Sequence, residues 1–429
     1  MAGQSAPSAA RSGRPRVLVL GGGFAGLGAA RKLEKADVDV VLVDANDYHS
    51  FQPMLYQLAT GLIDTTAVAH SLRDLFEHQK NARVHQATVT AVDLDKREVQ
   101  FADMAPLQYD YLVVGLGAIV QFFGCKGAPE HAYPLYTVED ALRLRSRVVE
   151  RWEAADRDPS LVEDGALNIV VVGGGPTGIE SVGALSELYS GGFAKDYAEG
   201  VSDRARLMLV EAGPTLFPMF KPDIREYAQH ELEQRGVEIM LGERVESVEP
   251  TRVTLASGTV LPAHTLVWGA GLQANPLTGS LGIELEKGNR IAVDPELRLP
   301  DHPEVFAVGD AAWITDAATG DVLPQLGSVA LQAGEHAGVN IGRIVDGDEP
   351  KPFEYTDKGT MAAIARGAAV AQLHGGRTMK GKMAFLAWGA VHLTLLSAWE
   401  DRTKAMVDWT WGGFSHERPG RILVGDKET

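Results

Sequence analysis

A glycine-rich turn set between two short apolar runs occurs twice in this chain of 429 residues, and few folds accept that arrangement. The first copy runs from Val17 to Asp44, VLVLGGGFAGLGAARKLEKADVDVVLVD. Val17 to Leu20 suits a strand buried on both faces. Gly21, Gly23 and Gly26 follow in G-x-G-x-x-G spacing. The first allows a tight turn, the second lets a phosphate approach the backbone, and the third lets helix and strand pack closely. Ala29, Ala30 and Leu33 continue one face of a helix, whose N-terminal N–H groups and dipole suit a pyrophosphate. Val38 to Val43 is the next strand. Asp44 ends it, where a carboxylate accepts ribose hydroxyls. The glycines alone are a weak signal; strand, glycines, helix, strand and acid within about 30 residues are a strong one.

The second copy begins at Asn168 to Val172. Gly173, Gly175 and Gly178 repeat the spacing, and a helix carries Glu180, Val182, Leu185 and Leu188. An excursion, YSGGFAKDYAEGVSD, precedes the strand Arg206 to Val210, which ends in Glu211. Ala212 and Gly213 follow, with no arginine. A carboxylate there accepts ribose hydroxyls and repels a 2′-phosphate, so this site favours NAD over NADP. The chain therefore predicts two dinucleotide folds, the first taking the adenine half of FAD.

A length of 429 residues exceeds one ordinary core, so two or three domains are expected. The net charge of −17 argues against nucleic acid and gives no general attraction to anionic lipid. Cys125 is the single cysteine, which excludes an intramolecular disulfide and a cysteine metal cluster; no metal site is expected. Residues 1–14 predict a disordered tail, and no run of about 20 apolar residues predicts a spanning helix.

Elsewhere the signals are mixed. Residues 48–64, YHSFQPMLYQLATGLID, are placed to cover a cofactor ring or to fill core. Residues 83–101 predict two short strands, 137–156 a helix, and 158–165 a polar linker. YDYLVVGLG at 109–117 and TLVWGAG at 265–271 both run a strand into glycine and mark the exits from the two folds. PEVFAVGDAA at 303–312 predicts a strand ending in Gly-Asp, and 324–340 a helix from about Ser328. Met383 to Trp399 is an apolar run of 17 residues broken by His392, followed by EDRTK and by VDWTWGGF, with Arg418 and Arg421 beyond. It predicts either a buried core helix or a helix lying on a bilayer surface.

From about residue 15 to residue 424 the chain resembles the type II NADH dehydrogenases, the single-subunit, non-pumping NADH:quinone oxidoreductases. RVLVLGGGFAGLGAARKL, YHSFQPMLYQLATGLI, VVVGGGPTGIESVGALSEL, VFAVGDAA and YTDKGTMAAIAR carry the resemblance, with the tryptophan-rich end. It implies an α/β flavoprotein of two dinucleotide-binding domains (tandem Rossmann-like folds) with a C-terminal membrane-associating α/β segment. The implied domains are 15–120 with 272–345 for FAD, 121–271 for NADH, and 346–429 at the C-terminus.

By resemblance, non-covalent FAD is held by Gly21, Gly22, Gly23, Phe24, Ala25, Gly26, Asp44, Gln52, Gly117, Gly309 and Asp310. NADH is held by Gly173, Gly175, Thr177, Gly178, Glu211 and Gly271. Catalytic roles fall to Glu180, Gln332 and Lys358. The residues alone equally suit an exposed acid in a first helical turn for Glu180 and a surface lysine for Lys358. The quinone site is Gln57, Ser328, Ala330 and Gln332. The family motif A-Q-x-A-x-Q reads Gly327-Ser328-Val329-Ala330-Leu331-Gln332 here, so Ser328 replaces the first glutamine.

The implied reaction passes hydride from NADH to flavin and two electrons on to a quinone, with menaquinone one candidate. The implied setting is peripheral, on the cytoplasmic side of the cell membrane, with a cytosolic location and a homodimer as further expectations. Two alternatives stay open: a soluble NADH-dependent reductase of a non-respiratory acceptor, and an NADH-sensing flavin module without turnover. The missing second cysteine argues against disulfide and sulfide chemistry.

Overall fold

The strand Arg16–Leu20 is buried along its whole length and pairs with a parallel strand on each edge. The computed structural model describes residues 13–197 and 201–415. Most of the expected tail at 1–14, and Arg418 and Arg421, lie outside them. The described chain forms two compact units.

The first unit comprises the chain up to His49, His70–Ile119 and Leu272–Thr356. Its sheet runs in the order Arg298–Leu299, His302–Ala307, Tyr111–Val114, Arg16–Leu20, Asp39–Asp44, Ala82–Gln86. All neighbours are parallel except the antiparallel edge Arg298–Leu299. Helix Phe24–Lys32 follows the glycine turn and packs against helix Gly327–Val345. Glycines let the two backbones meet: a Cβ at Gly334 would collide with the Ala25 carbonyl, and one at Gly338 would stand 2.5 Å from that of Ala29. Residues 83–101 contain three strands rather than two, Ala82–Gln86, Val89–Asp93 and Glu98–Phe101. Only the first joins the large sheet. The other two pair antiparallel, which a sequence pattern of short alternating runs does not distinguish.

The second unit comprises Ser50–Ala69, Val120–Gly271 and the chain from Asp357 onward. Its parallel sheet runs Tyr133–Pro134, Thr265–Trp268, Ile169–Val172, Leu207–Glu211, Val237–Leu241. Helix Pro176–Glu187 leaves the second glycine turn and continues as a π-helical segment, Leu188–Phe193. The predicted helix at 137–156 is Val138–Arg157. Its capping box pairs Thr137 with Asp140, a feature worth about 1 kcal/mol. The linker expected at 158–165 is instead a helical turn, Ser160–Glu163, whose Val162 is buried together with Ala166 and Leu167. Its polar residues face water while three apolar ones join the core.

The C-terminal segment does not stand apart as its own unit. Strands Thr360–Ala365, Ala368–Gln372 and Thr378–Gly381 form an antiparallel sheet. The first of them lies against helix Pro176–Glu187, where Gly183 has no room for a Cβ because the Ile364 carbonyl occupies that space. The apolar run Met383 to Trp399 is divided. Helix Lys382–Leu395 ends before Leu396, and Trp399–Ser415 begins a second helix.

Candidate functional site

Both glycine turns close on an acid in the same way. Asp44 accepts the Gly22 N–H at 2.6 Å on one oxygen and the Asn46 N–H at 2.7 Å on the other. Burial raises the Asp44 pKa, and the two N–H bonds oppose that shift. Glu211 accepts the Gly174 N–H and the Gly213 N–H, each at 2.5 Å. Each carboxylate oxygen keeps further lone-pair capacity for ribose hydroxyls. Gly21 (φ +101°) and Gly173 (φ +113°) occupy backbone conformations that side chains rarely adopt. A Cβ at Gly26 or Gly178 would collide with the Gly21 or Gly173 carbonyl.

Gly23 and Gly175 differ from these. A Cβ there meets no protein atom within 4 Å, so packing inside the chain does not call for glycine. Bare backbone at a helix N-terminus, facing open space, is what the approach of a pyrophosphate needs. The residues therefore fit FAD at the first turn and NADH at the second.

The remaining expected FAD residues are spread over both units. Gly309 (φ +65°) lies between the two helices of the first unit. A Cβ on it would stand 3.1 Å from Ala25 and 3.3 Å from Ala330. Asp310 follows in the turn Gly309–Ala311, and its carbonyl accepts from Gln325 Nε2 at 3.1 Å. Helix Gly327–Val345 begins there without a side-chain cap. Phe24 packs edge-on against His49. Gly117 has φ +66°, and its carbonyl accepts the Asn275 N–H at 3.1 Å. Gln52 opens the turn Gln52–Met54 in the second unit. In the second fold, where NADH is expected, the Thr177 carbonyl accepts the Ser181 hydroxyl at 2.5 Å, and Gly271 (φ +71°) has the Phe123 ring where a Cβ would stand.

Glu180 is not an exposed first-turn acid: it is 9% exposed. Its Oε1 accepts the Ala363 N–H at 3.1 Å, and desolvation pushes its pKa up to about 8. It walls a largely apolar cavity of ≈ 160 Å³ in the second unit. Tyr56, Gln57, Glu187, Arg366, Trp388 and Trp409 share that wall. Trp409 Nε1 donates to Gln57 Oε1 at 2.7 Å, and Gln57 Nε2 donates to the Tyr56 hydroxyl at 3.0 Å. Glu187 accepts the Arg366 N–H.

Glu180 and Gln57 thus meet at one cavity. Lys358, in the same unit, is exposed and forms no part of its wall. Ser328, Ala330 and Gln332 belong to the first unit. The Gln332 amide is engaged at both ends by Thr356, donating to its carbonyl at 3.1 Å and accepting its N–H at 3.0 Å. Ser328 Oγ is 3.0 Å from the Tyr355 hydroxyl. Sequence reasoning missed Trp388, Trp409 and Tyr56 as wall residues. The legible trace was helical spacing: Ala384, Trp388 and His392 share one buried face.

Cys125 is free and buried, and burial raises its pKa, the opposite of what a reactive thiolate requires.

The pyridine nucleotide-disulphide oxidoreductase family model matches residues 15–334. A type II NADH:quinone oxidoreductase of Mycobacterium tuberculosis is 36% identical over 94% of this chain and 88% of its own length. One from Staphylococcus aureus is 30% identical over 87% of this chain and 93% of its own. The fold matches NDH2 of Plasmodium falciparum, solved in complex with NADH, at a TM-score of 0.87 and 19% identity, covering 96% of this chain and all of that one. Two nucleotide turns of one design and these relatives together make the chain a member of the type II NADH:quinone oxidoreductases.

Proposed function

We infer that the protein oxidises NADH and reduces a quinone, and that the cavity walled by Glu180 is where the quinone is served. The first glycine turn with Asp44 would hold FAD, which would supply the two-electron redox chemistry that links NADH to the acceptor. The observation that carries the reading is a buried carboxyl on an apolar cavity wall. A quinone ring needs apolar walls, and its two-electron reduction consumes two protons.

With a pKa of about 8, Glu180 is protonated at neutral pH. Its Oε1 is committed to Ala363, so the proton resides on Oε2. Gln57 is held from both sides by Trp409 and Tyr56, which fixes its amide at the wall. Glu211 and the second turn select NADH, and Asp44, Gly309 and the N-terminus of helix Gly327–Val345 hold the flavin nucleotide. Ser328 and Gln332 tie that helix to Tyr355 and Thr356, a supporting role. Lys358 is left as a surface cation on the acceptor side.

The C-terminal helices are the membrane contact in this reading. Met383, Leu386, Leu395, Trp399, Met406 and Trp411 are exposed on them, Trp399 at 77%. No helix among the described residues is long and apolar enough to cross a membrane. With a net charge of −17, binding rests on apolar side chains and tryptophan rather than on attraction to anionic lipid. In this reading the helices rest on the cytoplasmic face of the membrane, the side from which NADH is supplied. Dimer formation is tested by sedimentation velocity.

Anaerobic stopped-flow absorbance tests the reaction. NADH should bleach the flavin quickly, and a menaquinone or ubiquinone analogue should restore it quickly. Bleaching without recovery removes the quinone assignment and keeps the NADH site. Co-sedimentation with lipid vesicles tests the surface, and wild type remaining in the supernatant overturns it.

A further inference from the structure

Gly22 and Gly174 hold the same place in the two turns, and each carbonyl is tied down by a different kind of group. The Gly174 carbonyl accepts the backbone N–H of Phe217 at 2.8 Å. The Gly22 carbonyl lies 2.9 Å from Nδ1 of His49. A carbonyl only accepts, so Nδ1 carries the proton and the ring is the Nδ1–H tautomer. The ring is 2% exposed and meets Phe24 edge-on at 5.1 Å. Its Nε2 has no partner among the described residues, so the polar contribution of His49 inside the protein runs through Nδ1.

The Gly22–Gly23 peptide is planar and trans, so the Gly23 N–H points opposite to the Gly22 carbonyl. Holding the carbonyl against the buried ring sends that N–H the other way. Gly23 is also the residue whose Cβ would meet nothing. We propose that His49 is a positioning residue of the FAD site, clamping the Gly22 carbonyl and thereby aiming the Gly23 N–H at the FAD pyrophosphate. This rests on the first turn holding FAD. The second turn is the internal control, because its clamp is a backbone N–H that no side-chain change at position 49 touches.

The test is the FAD dissociation constant of the full chain, read by flavin fluorescence after removal and re-addition of FAD. NADH affinity is measured on the same proteins. His49→Phe keeps bulk and removes the donor. His49→Gln keeps polarity but places its nitrogen where Nε2 stood, whereas His49→Asn places an N–H where Nδ1 stood. Phe and Gln should each weaken FAD binding by about 10-fold, and Asn by no more than about threefold. NADH affinity should stay within about twofold throughout.

FAD binding by His49→Phe equal to wild type overturns the proposal. So does an Asn variant that loses as much as the Gln variant. If circular dichroism shows that the Phe variant does not fold, the Gln and Asn pair decides alone. A wild type that binds no FAD overturns the assignment of the first turn, a result distinct from variants that bind as wild type does.

Discussion

Gly28 and Glu180 occupy the same position in the two nucleotide helices, seven residues after the first glycine of each motif. In the first fold a Cβ at Gly28 would stand 2.9 Å from the Leu331 carbonyl and 3.1 Å from the Glu335 nitrogen. Helix Gly327–Val345 therefore crosses at that point. In the second fold the close approach falls three residues later, at Gly183, and the partner is strand Thr360–Ala365. The shift leaves position 180 free to carry a long side chain. The inner frame of turn, acid and helix start is the same in both, as the proposal of one nucleotide at each turn requires. The outer face of the helix is decided by its neighbour, and one residue there separates a packing surface from a chemical one.

Placing a methyl group on the third glycine breaks the frame itself and should have the largest effect. Gly26→Ala should yield protein without flavin, and Gly178→Ala a flavoprotein that NADH no longer reduces, each by more than about 100-fold. Flavin content and NADH-driven bleaching check the pair. Both defects in one variant would mean that the two folds are not independent sites.

Glu180→Gln keeps the shape and removes the titration. Quinone-dependent turnover should fall about 100-fold, with flavin bleaching by NADH affected less. Stability supplies a second reading. The native carboxyl holds its proton to about pH 8, whereas the unfolded one releases it near 4.5. Between those values the native state binds more protons, so wild-type stability declines as pH rises from 4.5 to 8 and is level above. The span is on the order of 5 kcal/mol, and Glu180→Gln should lack it. Denaturant titrations across that range check the sign, and a stability that rises with pH equally in both proteins would remove Glu180 as the cause.

Gly28→Ala tests the packing half of the comparison. It should cost about 2 kcal/mol of stability while leaving the FAD turn intact. Calorimetry with flavin content checks this. Glu211→Gln sharpens the NAD preference and has the smallest expected effect. Loss of charge should narrow the NADH-to-NADPH ratio of kcat/KM by about 10-fold while the backbone N–H bonds persist.

The two glycine turns, their terminal acids and the helices beside them were legible in the sequence because local chemistry decides them. Gly21 and Gly173 need positive φ, Gly26 and Gly178 have no room for a Cβ, and Asp44 and Glu211 act on backbone within their own motif. The Ser160–Glu163 turn and the break after Leu395 were not legible, since both depend on which face of a short segment finds core. Glu180 shows the limit most clearly. Position and residue type alone suit a solvated helix start equally well. Its burial, its bond to Ala363 and its raised pKa come from a strand almost two hundred residues away in the chain. The sequence by itself determined the two glycine turns, the acids that close them and the helices that leave them. The tertiary structure alone decided which carboxyl is dry enough to keep its proton, because desolvation is a property of everything packed around a group rather than of its neighbours in the chain.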